Sequence, residues 1–119
     1  MGSRDQHIAS YKKNKKLSSS NEITKSENLD WRIIMIYYSA LHLLDSTYCN
    51  DEVNPHPGNH KKRKRKIYER YSDRIFKTYK NLEGLSRQAR YDCIIMKEKH
   101  LNKALRYLNE IENAVCLVN

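Results

Sequence analysis

Apolar positions recur at spacings of three and four residues along most of this chain. The clearest case follows Asn28, where Ile34, Tyr37, Leu41, Leu44 and Tyr48 form one stripe and Ile33, Ile36, Ala40 and Leu43 a second beside it. That spacing predicts a helix, with Asn28 or Asp30 as its cap. A helix apolar over so much of its girth is either central in a bundle or turned toward a dimer partner. A weaker pattern from Asp5 to Leu17 carries Ile8, Tyr11 and Leu17, then dissolves into Ser18-Ser19-Ser20-Asn21. A further helix is predicted from about His60 to Leu82, with Ile67, Tyr71, Ile75, Thr78 or Tyr79, and Leu82 on its inner face. Gly84 is expected to break or bend the chain. The last segment shows Ile94, Leu101, Ala104 or Leu105, Leu108, Ile111 and Val115, close to a heptad. Strand signals are absent from the pattern. The expectation is an all-α, up-and-down bundle of four to five helices. Residues 1–27 form an N-terminal helix and polar linker, joined to a bundle of residues 28–119 in a single domain.

Charge sharpens this picture. The chain has 119 residues and a net charge of +9, a balance that favours nucleic acid, a membrane surface or acidic partners. Six consecutive basic residues, Lys61-Lys62-Arg63-Lys64-Arg65-Lys66, follow a loop containing both prolines, Pro55 and Pro57. The run lies between two periodic apolar segments, so it is carried on a folded frame. Charges so close together repel one another, which costs stability until an anion neutralises them. Nucleic acid is the leading counterpart, bound without regard to sequence and sensitively to salt; a solvated helix face is the plain alternative. Membrane attachment is disfavoured because no strongly apolar face adjoins the run.

Cys49, Cys93 and Cys116 are odd in number and widely spaced. This spacing argues against a disulfide framework and a structural zinc site. No apolar run approaches the length of about 18 residues that suggests a membrane span, and the N-terminus lacks a signal-peptide core. A cytoplasmic protein without metal or cofactor is expected.

The polar residues between the predicted helices form a recognisable order. Asp30-Trp31 precedes Tyr37-Tyr38-Ser39-Ala40-Leu41-His42-Leu43-Leu44-Asp45; then come His56-Pro57, His60-x-x-Arg63, and Leu82-x-x-Leu85-Ser86-x-x-Ala89-Arg90-Tyr91. Over about residues 28 to 115 this resembles small prokaryotic members of the HEPN superfamily, helical domains tied to RNA cleavage, RNA binding and conflict systems. The resemblance implies a helical bundle, commonly a homodimer, with a ribonuclease site where protomers meet. Catalytic members carry Arg, four to six residues, then His on one helix. Here Arg32–His42 and Arg90–His100 are each ten apart, and Arg4 lies only three residues before His7.

Metal-independent RNA cleavage requires proton transfer, which histidine suits, and a cation at the phosphorane, which arginine supplies as a bidentate fork. His60 and Arg63, three apart at a helix start, are the catalytic candidates. The competing reading makes His60 a cap and pairs Arg63 with an acid. Lys61, Lys62, Lys64, Arg65 and Lys66 supply phosphate attraction. Arg87, Arg90 and Tyr91 form a second cluster across the cleft, in which Tyr91 stacks a base and Arg90 holds a phosphate or pairs with Asp45. His42 and Asp45 are structural polar groups, with Asp45 as partner of His42 or Arg90. The functional expectation is RNA binding in a toxin–antitoxin or antiviral setting, with metal-independent endoribonuclease activity left open. The alternative is a non-catalytic adaptor whose basic face docks an antitoxin or other acidic protein.

Overall fold

The computed structural model describes residues 3–19, 28–47, 60–91 and 95–118, with the backbone alone at residues 60, 117 and 118. Its centre is the doubly striped segment. Helix α2 (Leu29–Ser46) follows α1 (Arg4–Ser18), and Ile33, Ile36, Ala40 and Leu44 within it have no exposed surface. The described positions of both predicted stripes are buried, because α2 is covered on several sides by other helices. Asn28 occupies the cap position without a side-chain capping bond, while Asp30 accepts a hydrogen bond from the Trp31 backbone.

Helix α1 begins with a reciprocal cap. The Gln6 N–H donates to Ser3 Oγ and the Ser3 N–H donates to Gln6 Oε1, which satisfies two otherwise orphaned donors. The helix lies antiparallel to α2: His7 meets His42 at one end, and Arg32 donates to the Ser18 carbonyl at the other. Ile8 and Tyr11 pack against the core, while Leu17 is 38% exposed.

Three more helices complete an all-α bundle: α3 (His60–Arg70), α4 (Asp73–Tyr91) and α5 (Glu98–Val118). Ile67 from α3, Ile75, Tyr79 and Leu82 from α4, and Leu101, Ala104, Leu108 and Ile111 from α5 close over α2. Ala104, and not the half-exposed Leu105, is the inner residue of its turn. Tyr48 and Ile94 lie outside the described residues.

Two expectations about the middle of the chain are corrected. The helix predicted from His60 to Leu82 is two helices. Tyr71 donates to the Ile67 carbonyl and closes α3, whereas the Ser72 hydroxyl accepts from the Ile75 N–H and starts α4. Ser72 followed by Asp73 is thus a new N-terminus, a good cap and an acidic first turn. Gly84 does not break the chain; it lies inside α4. The buried positions Ile75, Tyr79, Leu82 and Ser86 run past it on the other side, so packing outweighs the roughly 1 kcal/mol helix penalty of glycine. Among the described residues, no helix is long and apolar enough to cross a membrane.

Candidate nucleic-acid interface

The basic run begins α3, and the fold divides it. Arg63 shares a stripe with Ile67 and Tyr71, four and eight residues on, and is drawn inward with them to 9% exposure. There its Nε donates to Asp45 Oδ1 at 2.8 Å and its Nη2 to Asp45 Oδ2 at 2.9 Å. The planar fork matches the carboxylate, which is the geometry that favours arginine for such pairs. Burial lowers the Arg63 pKa, but the hydrogen bonds and charge of Asp45 outweigh it and hold the guanidinium above its ordinary value. Asp45 is therefore joined to Arg63, a partner other than the two that the sequence offered for it. Arg63 is a buried tie between α2 and α3, not a cation on the surface shared with His60. The His60 side chain lies outside the described residues.

Next to this pair, Tyr37 and Tyr79 meet hydroxyl to hydroxyl at 3.0 Å. Burial raises both phenols; beyond that, Tyr37 raises Tyr79 further, while the shared hydrogen bond tempers the rise at Tyr37. Arg90 comes from the last turn of α4. Its Nη1 donates to Tyr38 Oη at 2.8 Å, and its guanidinium lies 5.9, 5.7 and 5.1 Å from the ring centres of Tyr37, Tyr38 and Tyr91. Aromatic faces thus take the place of the carboxylate offered as one of its alternatives. Among the described residues, the buried Arg90 Nε and Ser86 hydroxyl have no hydrogen-bond partner.

His42 is held by His7, with Nδ1 to Nδ1 at 3.0 Å. Such a contact needs one ring to donate and the other to accept, so the two rings cannot both carry a proton at Nδ1. Nothing in the spacing of two residues 35 positions apart announces that pairing. Among the described residues, no three His, Cys, Asp or Glu side chains gather into a metal-binding group.

No known family, curated protein or solved structure matches this chain.

The rest of the run behaves differently from Arg63. Lys61, Lys62 and Arg65 are exposed, and Lys66 is half-buried. Lys64 reaches across to Glu83 of α4 at 2.8 Å, and Arg65 lies 4.0 Å from Glu69 one turn on. Arg87 and Tyr91 are exposed on α4, Tyr91 at 70%. Residues that the sequence did not single out lie beside them. Tyr68 of α3 is 59% exposed and meets Phe76 of α4 edge to face at 5.4 Å, and Lys80 covers Phe76 at 5.4 Å. Tyr68 lies three residues beyond Arg65 and seven beyond Lys61; that spacing was a legible signal for an aromatic residue on the basic face.

Proposed function

We propose that this bundle binds RNA through the outer face of α3, as a HEPN-like protein in which binding, not cleavage, is the working activity. The observation that carries the reading is the division of the basic run. Arg63 is consumed by Asp45, while Lys61, Lys62 and Arg65 face outward on a helix fixed by that internal tie. Surface cations on a rigid element form a preset phosphate-binding face. The buried fork on Asp45 and the Arg-to-His intervals of ten residues favour binding over a ribonuclease centred on His60 and Arg63. Homodimerisation, a cytoplasmic setting and a place in a toxin–antitoxin or antiviral system belong to the same reading and are supported by the resemblance to HEPN domains.

The test is a salt titration of a labelled RNA pool against the full chain, with RNA integrity followed in the absence of metal. Affinity should fall steeply with salt, and the triple variant Lys61→Glu, Lys62→Glu, Arg65→Glu should flatten that dependence by about one in slope for each phosphate it no longer neutralises. The RNA should remain intact. Cleavage abolished by His60→Ala would restore the ribonuclease reading. Absence of RNA binding, with retention of an acidic protein by the same face, would establish the adaptor.

A further inference from the structure

Helices α3 and α4 make an antiparallel seam, fixed by Lys64 with Glu83 and by Tyr68 with Phe76. One pair joins the middle of α3 to the middle of α4; the other joins the last turn of α3 to the first turn of α4. Continuing that register brings Lys61 to the level of Arg87. Along α4, Phe76, Lys80, Arg87 and Tyr91 follow one another at intervals of four, seven and four residues, and therefore share one side of the helix. By helical rise this side extends about 22 Å from Phe76 to Tyr91. Its outer margin has an exposed tyrosine toward each end, Tyr68 and Tyr91, with Lys80 and Arg87 exposed between them. Neither of these cations has a carboxylate partner among the described residues.

We infer that this seam is a track for single-stranded RNA, in which Tyr68 and Tyr91 stack bases and Lys61, Lys80 and Arg87 neutralise the intervening phosphates. The inference rests on the RNA-binding reading above and deepens it, because cations alone do not separate duplex from single strand. Exposed aromatic faces do: a base must leave its helix to stack on a side chain, and a duplex keeps its bases paired. Both rings are positioned in advance. Phe76 meets Tyr68 edge to face, and the Arg90 guanidinium lies 5.1 Å from the Tyr91 ring, so less side-chain freedom is lost on binding. The length suits the short end of single-strand site sizes, about four nucleotides.

The experiment compares a labelled single-stranded 12-mer RNA with the same strand in a duplex, at several salt concentrations. Tyr68→Ala and Tyr91→Ala should each weaken single-strand binding by about tenfold and leave duplex binding and the salt slope unchanged. Tyr68→Phe and Tyr91→Phe keep the rings and should bind normally, which separates stacking from loss of fold. Lys80→Ala with Arg87→Ala should instead lower the single-strand salt slope by about 1.4. Equal losses for duplex and single strand, or no loss on removal of either ring, would overturn the track while leaving general RNA binding intact. A full chain that binds neither RNA would overturn both readings.

Discussion

Two regions of this bundle draw on the same basic helix and put its charge to opposite uses. At the interior end of α3, Arg63 is 9% exposed and its fork is satisfied by Asp45, itself 1% exposed. On the outer side, Lys61 and Arg65 remain in water. Six adjacent charges in the sequence thus do not make six equivalent contacts. The interior pair specifies how α2 meets α3, and that placement fixes which cations point outward. Its geometry is exacting because both charges are withdrawn from water. The outer cations tolerate looser geometry because water screens them.

The largest expected effect lies at the inner end. Asp45→Ala would remove the carboxylate that the Arg63 fork grips inside the fold and should cost about 3–5 kcal/mol in denaturant unfolding. Replacing both partners with apolar residues, Asp45→Leu with Arg63→Met, should recover much of that loss, since no charge is stranded. A loss below about 1 kcal/mol for Asp45→Ala would mean that the pair behaves like a surface bridge, and the distinction between the two regions would fail.

The tyrosine pair beside it offers a milder test. Tyr79→Phe removes one hydroxyl of the pair and leaves that of Tyr37, which is 1% exposed, without this partner, for an expected loss of about 1–2 kcal/mol. Alkaline titration reads the same environment in the unaltered protein. Tyr11, Tyr37 and Tyr79 are all raised above the ordinary value of 10.0, chiefly by burial. A raised folded-state pKa means that the neutral phenol is favoured by folding. Its contribution is complete below pH 10 and is lost as the pH rises through the folded-state value. Ultraviolet absorbance should therefore show a group of tyrosines ionising late, and stability should decline above pH 10. Uniform titration of all nine tyrosines near pH 10, with the fold intact, would contradict the burial of this cluster.

The bundle itself was largely legible because helical burial leaves a local trace. Ile33, Ile36, Tyr37, Ala40 and Leu44 recur at three and four residues, and all are buried. The break between α3 and α4 was harder to see because it uses neither proline nor glycine; its signal was Ser72 before Asp73. Gly84 misled in the other direction. A Cβ at Gly84 would meet nothing within 4 Å, so Gly84→Ala should stabilise α4 by about 0.5–1 kcal/mol in thermal unfolding, and destabilisation would show that the glycine has another role. For the candidate site, the inward direction of Arg63 was present in its spacing from Ile67 and Tyr71. The identity of Asp45 as its partner was not, since that depends on how two helices meet. Tyr68 with Phe76, and His7 with His42, are likewise products of tertiary packing.

The smallest effect belongs to the link between the two regions. Lys64 is 31% exposed and Glu83 10%, at a separation of 2.8 Å, so the pair has one end in water and the other against the core. Lys64→Met keeps most of the apolar stem and removes the charge; it should cost about 0.5–1 kcal/mol at low salt and less at high salt. RNA affinity should fall only slightly, because Lys64 is already committed to Glu83. A loss of several kcal/mol that salt does not reduce would place Lys64 with Arg63 as an interior tie. An undiminished fold with a large loss of RNA affinity would place it with Lys61 on the outer face. The intermediate result follows from its position on the helix, between the stripe that packs and the side that meets solvent.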